Sequence, residues 1–179
     1  MPLSTENEVI SKKLLTIVYV VKDGKVLLGL KKRGFGAGNW NGFGGKVETG
    51  ETIEQAARRE LEEECALTVD RLEKIGVVDQ EFVNDPVVLE IHIFKADNYH
   101  GNPAESEEMK PKWFSAEDIP FDKMWADDKY WMPYLLKNVR FYGYYLFEGF
   151  HTIIKQKLVK IDDVGESVKS LLHMYRGKV

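Results

Sequence analysis

The chain has 179 residues, a length that favours one domain at roughly 150 residues per domain. Hydrophobic residues make up 44% and charged residues 30%, so a packed core is possible and global disorder is excluded. The formal net charge of -4 argues against a protein that binds duplex nucleic acid through a basic face.

Neither a membrane span nor a targeting segment is predicted. The longest apolar run, residues 14–21, is broken by Thr16 and is far shorter than the roughly 20 residues that cross a bilayer. Residues 1–12 show no apolar signal core and no arginine-rich amphipathic pattern, and they are expected to be flexible. The single cysteine, Cys65, excludes an internal disulfide and a cysteine-based zinc site. We therefore expect a cytoplasmic protein, with nuclear or mitochondrial fractions left open.

The first half of the chain predicts a hairpin, a loop and a helix. Residues 14–30 read as two strands joined by an Asp-Gly turn. Seven glycines within residues 33–50 predict an irregular loop, because regular elements do not tolerate that density. Thr52 and Gln55 have the spacing of a capping box and predict a helix that runs to about Cys65.

The second half alternates strands with helices. Strands are predicted over residues 75–83, 87–96, 112–114, 140–147 and 151–164. Helices are predicted over residues 130–138, with a start restricted by Pro133, and over residues 166–175. Mixed strands around helices predict an α/β or α+β sandwich.

Three glutamates fall on one face of the first predicted helix. Glu60, Glu63 and Glu64 are spaced i, i+3 and i+4, a pattern that more often marks an ordinary solvated acidic face. Here the face follows a glycine-rich loop with available backbone groups. Hard oxygen ligands suit Mg²⁺, which also binds phosphates. Arg59 would pair with the glutamates or with phosphate, or be an ordinary surface arginine.

The segment from residue 45 to residue 67 resembles the Nudix box, in which glycine, glutamate and an Arg-Glu-aliphatic-x-Glu-Glu run recur at fixed spacing. It matches at Gly45, Glu51, Arg59, Glu60, Leu61, Glu63, Glu64 and Leu67. It departs at Ala66, where the family has a glycine, and alanine there predicts modest backbone strain. The resemblance implies an α/β/α sandwich with a mixed β-sheet and a catalytic loop-helix motif.

The same resemblance implies the catalytic set and the cofactor. Arg59, Glu60, Glu63 and Glu64 would be the catalytic residues, and the choice of base among the glutamates stays open. Mg²⁺, with Mn²⁺ as a substitute, would orient the phosphates and lower the pKa of an attacking water. The residues implied as metal ligands are Gly44, Gly45, Glu60, Glu63, Glu64 and Glu108.

Residues 31–38, 40–46, 105–109, 125–128, 130–131 and 141–149 carry further similarity. They resemble the branch of the Nudix family that hydrolyses oxidised purine nucleoside triphosphates. This resemblance predicts a Nudix domain over residues 13–164. Residues 165–179 lie outside it and are expected to form a C-terminal extension with a helical sequence pattern. The implied substrate-binding residues are Thr16, Lys31, Phe35, Asn41, Phe43, Gly44, Gly45, Lys46, Met109, Trp125, Asp127, Asp128 and Phe147. The chain departs at Gln80, where that branch has phenylalanine, and at Leu89, where it has methionine.

Asp127 and Asp128 have a chemistry of their own. Two neighbouring carboxylates in an aromatic-lined pocket interact strongly, so one of them can stay protonated near neutral pH. A protonated carboxyl donates and an ionised one only accepts, so the pair could read different purine edges by moving one proton. The alternative is a solvated turn, and Trp125 has a similar alternative in core packing. Tyr130 and Trp131 are expected in the core or behind the site, and His92 and Cys65 in structural positions.

These resemblances imply Mg²⁺-dependent hydrolysis of oxidised purine nucleotides, such as 8-oxo-dGTP and 2-hydroxy-dATP, to monophosphate and pyrophosphate. Such a reaction keeps damaged nucleotides out of DNA. Two alternatives stay open: a Nudix hydrolase for methylated purine nucleotides, suggested by Gln80, and a catalytically silent nucleotide- or RNA-binding module. The expected partner is a small nucleotide, with no stable nucleic acid and no membrane, and the expected state is a monomer.

Overall fold

The computed structural model describes residues 10–165, 168 and 171–176, and within them one mixed sheet is flanked by helices. The strands are β1 Ser11–Lys22, β2 Lys25–Lys31, β3 Trp40–Asn41, β4 Phe43–Lys46, β5 Glu73–Phe82, β6 Val87–Ala96, β7 Met109–Ser115, β8 Phe141–Glu148 and β9 Thr152–Lys160. The helices are α1 Ile53–Cys65, α2 Asp128–Leu136 and α3 Leu171–Arg176, with short 3₁₀ turns at Ala116–Asp118 and Phe121–Lys123. Part of the predicted flexible segment 1–12 and part of the predicted helix 166–175 lie outside the described residues.

Strand β1 organises the sheet. The order is β3-β2-β1-β6-β5-β8-β9, with β4 beside β1 and β7 beside β2. The β1–β6 and β5–β8 pairs are parallel and the other pairs are antiparallel. Since β2 and β4 share one edge of β1, the glycine-rich strand β4 is held directly against β1, with Gly45 opposite Thr16.

Alternation along the strands builds three layers. On β1, Val18 and Val20 pack with Leu61 of α1, whereas Tyr19 packs on the other face with Trp131 of α2. On β8, Tyr144 packs with Leu172 of α3, on the same face as α1. Helices α1 and α3 therefore cover one face and α2 the other, which confirms the predicted α/β/α sandwich with a mixed sheet.

The predicted irregular loop over residues 33–50 is wrong for residues 40–46, which form β3 and β4. The glycines of β4 serve close packing rather than unusual backbone angles. A Cβ on Gly44 would lie 1.7 Å from the carbonyl oxygen of Thr16, so only glycine lets β4 approach β1 this closely. Glycines with positive φ occur on either side, at Gly38 and Gly50.

Helix α1 begins and ends as predicted. Thr52 Oγ1 accepts from the Gln55 backbone N–H at 3.1 Å, and Gln55 Oε1 accepts from the Thr52 backbone N–H at 2.8 Å, which confirms the capping box. Ala66 follows the helix with φ 62°, the left-handed region in which the family's glycine would be free of strain. Helix α2 begins at Asp128, two residues before the predicted start, and contains Pro133.

No helix in the described part of the chain is long and apolar enough to cross a membrane.

Cys65 is fully buried and its Sγ donates to the Leu61 carbonyl, while burial raises the pKa of its thiol to about 12. His92 is buried with Nε2 at 2.8 Å from Glu90 Oε1. Both residues have the structural positions that were predicted.

Candidate active site

A cavity of about 760 Å³ opens on the α2 face of the sheet, a volume within the range of small-molecule sites. It is bounded by β1, β5 and β6, by the start of α2, and by the loops that follow β2 and β8. The predicted substrate-binding residues that line it are Thr16, Lys31, Phe35, Asn41, Gly44, Gly45, Lys46, Trp125, Asp127 and Asp128. The structure thus brings together most of a set that is scattered over more than one hundred positions of the chain.

Three predicted substrate-binding residues lie elsewhere. Phe43 and Met109 are buried in the core between the sheet and α1. Phe147 is fully buried and stacks on Phe82, with 5.3 Å between ring centroids, so that Phe82 rather than Phe147 forms the cavity wall. Their direct contact with substrate stays a prediction.

An aromatic wall lines the cavity and includes residues that sequence reasoning missed. Phe35 lies 5.2 Å from Trp125 and 5.3 Å from Phe150, and Phe82 lies 6.4 Å from Trp125, between ring centroids. Phe35 and Phe150 are each 55% exposed, which leaves their rings available at the cavity rim. Such a wall suits a flat heterocyclic ring. Strand alternation from Gln80 would have indicated Phe82, whereas nothing in the sequence marked Phe150.

Asn41 presents a donor to the cavity. Its Oδ1 accepts from the Gly42 backbone N–H at 2.9 Å and from the Tyr19 hydroxyl at 3.2 Å. Because these donors fix the orientation of the amide, the NH₂ group of Asn41 is the part left to meet an acceptor.

Asp127 and Asp128 are buried, with 1% and 3% exposure. Asp127 Oδ1 accepts from Gln80 Nε2 at 3.1 Å, and Asp127 Oδ2 accepts from Trp131 Nε1 at 3.0 Å. Burial raises the pKa of both carboxyls, and the charge of Asp127 raises the pKa of Asp128 further. The alternative of a solvated turn is therefore wrong. Trp131 is buried as predicted, whereas Tyr130 is 38% exposed and stacks on Tyr145.

The acidic helix lies against the glycine strand at one end of the cavity. A Cβ on Gly45 would lie 2.5 Å from Glu60 Oε1, so the Glu60 carboxylate rests on the Gly45 backbone. Glu64 Oε2 accepts from the Gly44 backbone N–H at 3.1 Å. Burial, and then the charge of Glu60, raises the pKa of Glu64 to about 8. The carboxylates of Glu60 and Glu64 are therefore both held against the backbone of β4.

Arg59 fastens the loop that precedes α1 to the helix. Its guanidinium donates to Glu51 Oε1 at 2.7 Å and to Glu60 Oε1 at 2.9 Å. It also donates to Glu63 Oε2 at 3.2 Å and to the Lys46 carbonyl at 3.1 Å. Hydrogen bonds from Arg59 lower the pKa of the Glu51 carboxyl. Arg59 is therefore an organising residue, and Glu51 belongs to the same network.

The donor set fits a hard divalent cation, although the described residues hold no ready-made cluster of three or more acidic, histidine or cysteine side chains in metal-binding geometry. Glu60 and Glu64 repel one another, and Glu108 adds to the field that raises the pKa of Glu64. A cation would relieve that repulsion, and all the available donors are oxygens. Glu63 is turned toward Arg59, and Glu108 Oε1 accepts from Arg33 at 2.6 Å.

A nucleotide-sized cavity lies beside a helix whose carboxylates suit a divalent cation, an arrangement that fits the hydrolysis of pyrophosphate linkages. Residues 12–135 match the family described as NUDIX domain. The chain belongs to the Nudix family, whose members generally use a divalent metal, typically Mg²⁺.

Two curated relatives and one solved structure illustrate the similarity. The chain is 59% identical over 154 residues to the oxidized purine nucleoside triphosphate hydrolase of Danio rerio, covering 86% of this chain and 99% of the relative. It is 52% identical over 152 residues to the protein of the same name from Mus musculus, covering 85% and 97%. The crystal structure of a MutT protein from Bacillus halodurans superposes with a TM-score of 0.74 at 27% identity, covering 82% of this chain and 97% of that one.

Proposed function

We propose that this chain hydrolyses oxidised purine nucleoside triphosphates, with 8-oxo-dGTP and 2-hydroxy-dATP as type substrates, to the monophosphate and pyrophosphate. The observation that carries the proposal is the buried carboxyl pair, Asp127 and Asp128, facing an aromatic cavity beside the acidic helix. The names of the zebrafish and mouse relatives support the same substrate class. The reaction would keep damaged nucleotides out of DNA synthesis.

In this proposal, different residues of the chain bind the base and the phosphates of the substrate. Trp125 and Phe35 would stack on the purine, and Asn41 would donate to its edge. Lys31 and Lys46 line the cavity and would attract the phosphates. Each of these contacts positions the triphosphate so that its chain extends toward α1.

The metal-binding residues in this proposal are Glu60, Glu63, Glu64 and Glu108, with the Gly44 and Gly45 carbonyls. When bound, Mg²⁺ or Mn²⁺ supplies charge neutralisation of the phosphates and a lowered pKa for the attacking water. Arg59 holds Glu60 and the preceding loop in place. We propose a monomer that acts on free nucleotides, in the cytoplasm and in nuclear or mitochondrial fractions, with residues 13–164 as the catalytic domain.

The test is pyrophosphate release from 8-oxo-dGTP, 2-hydroxy-dATP, O6-methyl-dGTP and unmodified dGTP, with Mg²⁺ and after EDTA. We expect Mg²⁺-dependent release that favours the oxidised purines. Glu64→Gln should lower kcat by at least about a hundredfold, because it removes a partly buried carboxylate from the metal-binding end of the cavity. Glu62→Gln is the matched control, since Glu62 is exposed on the same helix.

The results of this assay test the proposed substrate and the proposed reaction separately. Preference for O6-methyl-dGTP would retain the pyrophosphohydrolase chemistry and replace the proposed substrate. Release that persists unchanged in EDTA or in Glu64→Gln would refute the assigned roles of the metal and of Glu64. No release from any of the four nucleotides would refute the proposed activity.

A further inference from the structure

The buried carboxyl of Asp127 is held by two fixed donors. Gln80 reaches it from β5 and Trp131 reaches it from α2, at 3.1 Å and 3.0 Å, so each carboxylate oxygen accepts one N–H. An indole N–H and an amide N–H can only donate. Hydrogen bonds from such donors favour the ionised form of a carboxyl. The surroundings of Asp127 therefore select its carboxylate.

Asp128 has the opposite surroundings. Its Oδ2 is buried and has no hydrogen-bond partner among the described residues. A second buried charge next to the Asp127 carboxylate would have no donor at Oδ2, and the backbone hydrogen bond with Trp125 would be its one compensation among the described residues. A protonated carboxyl, by contrast, can offer its O–H to an acceptor on a ligand in the cavity that Asp128 lines.

We propose that Gln80 is a specificity-determining residue that fixes the negative charge on Asp127 and the proton on Asp128. The pair then presents an acceptor and a donor in one set order, instead of exchanging the proton according to the ligand. This inference rests on the proposed function, because it assumes that a purine edge meets the pair.

A carboxyl pair with a fixed order of donor and acceptor distinguishes 8-oxoguanine from 2-hydroxyadenine. On the edge of 8-oxoguanine the 6-position is an acceptor and the 2-position a donor, whereas in keto 2-hydroxyadenine the 6-position is a donor and the 2-position an acceptor. A pair that exchanges its proton freely binds both edges. A pair with its proton fixed binds one edge directly, and the other only after the proton moves off Asp128 against the preference set by Gln80.

Two further ionisable groups face the pair. Tyr19 lies on β1 and Tyr145 on β8, and the carboxylates raise the pKa of both hydroxyls, as does burial. Both tyrosines therefore stay neutral through the neutral pH range. Gln80 therefore affects the position of the proton shared by Asp127 and Asp128, and not the protonation of either tyrosine.

The test measures the binding of 8-oxo-dGMP and 2-hydroxy-dAMP to the full chain by calorimetry between pH 4.5 and pH 9. Gln80→Met keeps the length of the side chain and removes the donor. Gln156→Met is the matched control, because it makes the same change at an exposed position of β9 that does not line the cavity. A hydrogen bond to a buried charge is worth about tenfold or more in an equilibrium constant.

We expect the parent chain to discriminate between the two monophosphates. In Gln80→Met the ratio of the two Kd values should move toward one by at least about threefold. The loss of affinity at low pH, which is the acid limb of the binding profile, should also begin about half a unit to one unit higher in pH. The reason is that the Asp127 carboxylate loses a hydrogen-bond donor, which raises its pKa. Gln156→Met should leave both the ratio and the acid limb in place.

Three results would overturn the inference. One is a ratio that changes by less than threefold, and another is a parent chain that binds both monophosphates equally. The third is a changed ratio with an unmoved acid limb, which would mean that Gln80 contacts the base directly. Since monophosphate binding needs no hydrolysis, a failure of the proposed activity in the pyrophosphate assay would be recognised separately.

Discussion

The docking of α3 on the sheet yields a prediction that can be worked out from packing. Leu172 is fully buried, and it packs with Tyr142 and Tyr144 of β8 and with Val88 of β6. The end of the helix after Leu172 is held as well: Tyr175 stacks on Tyr142 with 6.1 Å between ring centroids, and Arg176 forms an ion pair with Glu81 at 2.5 Å. We predict that Leu172→Ala destabilises the protein while leaving the cavity on the other face intact.

The magnitude follows from the burial of one side chain. Leucine-to-alanine changes at fully buried positions cost about 2–5 kcal/mol, through lost transfer free energy and the cavity left behind. The six-residue helix can shift to fill part of that cavity, so about 2–3 kcal/mol is expected. For a chain of this length each kcal/mol lowers Tm by about 2–4 °C, which predicts a loss of about 4–12 °C.

Thermal unfolding followed by circular dichroism measures the effect, and Met174→Ala is the control because Met174 is 48% exposed on the same helix. The control should shift Tm by less than about 2 °C. We expect kcat/KM at 20 °C to stay within about twofold of the parent value in both variants. A Leu172→Ala variant with an unchanged Tm would refute the docked position of α3, and a large loss of kcat/KM would refute its separation from the cavity.

Three further predictions concern the site and its margins. Ala66→Gly should raise Tm by about 1–4 °C, since it relieves a left-handed alanine and gains about 0.5–1 kcal/mol. Gly45→Ala should keep Tm within a few degrees but lower Mg²⁺-dependent turnover by about tenfold or more, because its Cβ would displace the Glu60 carboxylate. Asp128→Asn should raise Tm more at pH 8 than at pH 5, as thermal scans at the two pH values would show. Burial raises the pKa of Asp128, so the stability that its bound proton contributes is lost as pH rises through the folded pKa.

Local signals in the sequence were sufficient for α1 and for the hairpin of β1 and β2. The capping pair Thr52 and Gln55 fixes the start of the helix through two hydrogen bonds that need no tertiary context. The hairpin between β1 and β2 depends on Asp23 and Gly24, which take positive φ values of 51° and 72°. The i, i+3, i+4 spacing predicted that the glutamates share a face of α1. In the structure, Glu60 lies against Gly45 and Glu64 accepts a hydrogen bond from Gly44.

Other features depended on contacts between residues distant in sequence. Residues 40–46 contain too many glycines for a strand by propensity, yet β1 supplies a complete partner edge for β4. The positions of Phe43 and Met109 in the core under α1 follow from which face of each strand meets the helix, which a local pattern does not specify. Phe150 enters the aromatic wall through a hairpin turn after Gly149, where no periodicity operates.

Strand β5 shows why a polar residue such as Gln80 can occupy a position that resembling sequences fill with phenylalanine. A buried polar group is costly unless it is hydrogen-bonded, and β5 carries three consecutive polar residues, each with a partner. Asp79 and Glu81 point toward α3 and accept from the hydroxyls of Tyr142 and Tyr144, both at 2.5 Å. Gln80 points the other way, where Asp127 is its partner. The nitrogen of its amide therefore has a hydrogen-bond partner in the cavity wall, beside the acidic pair.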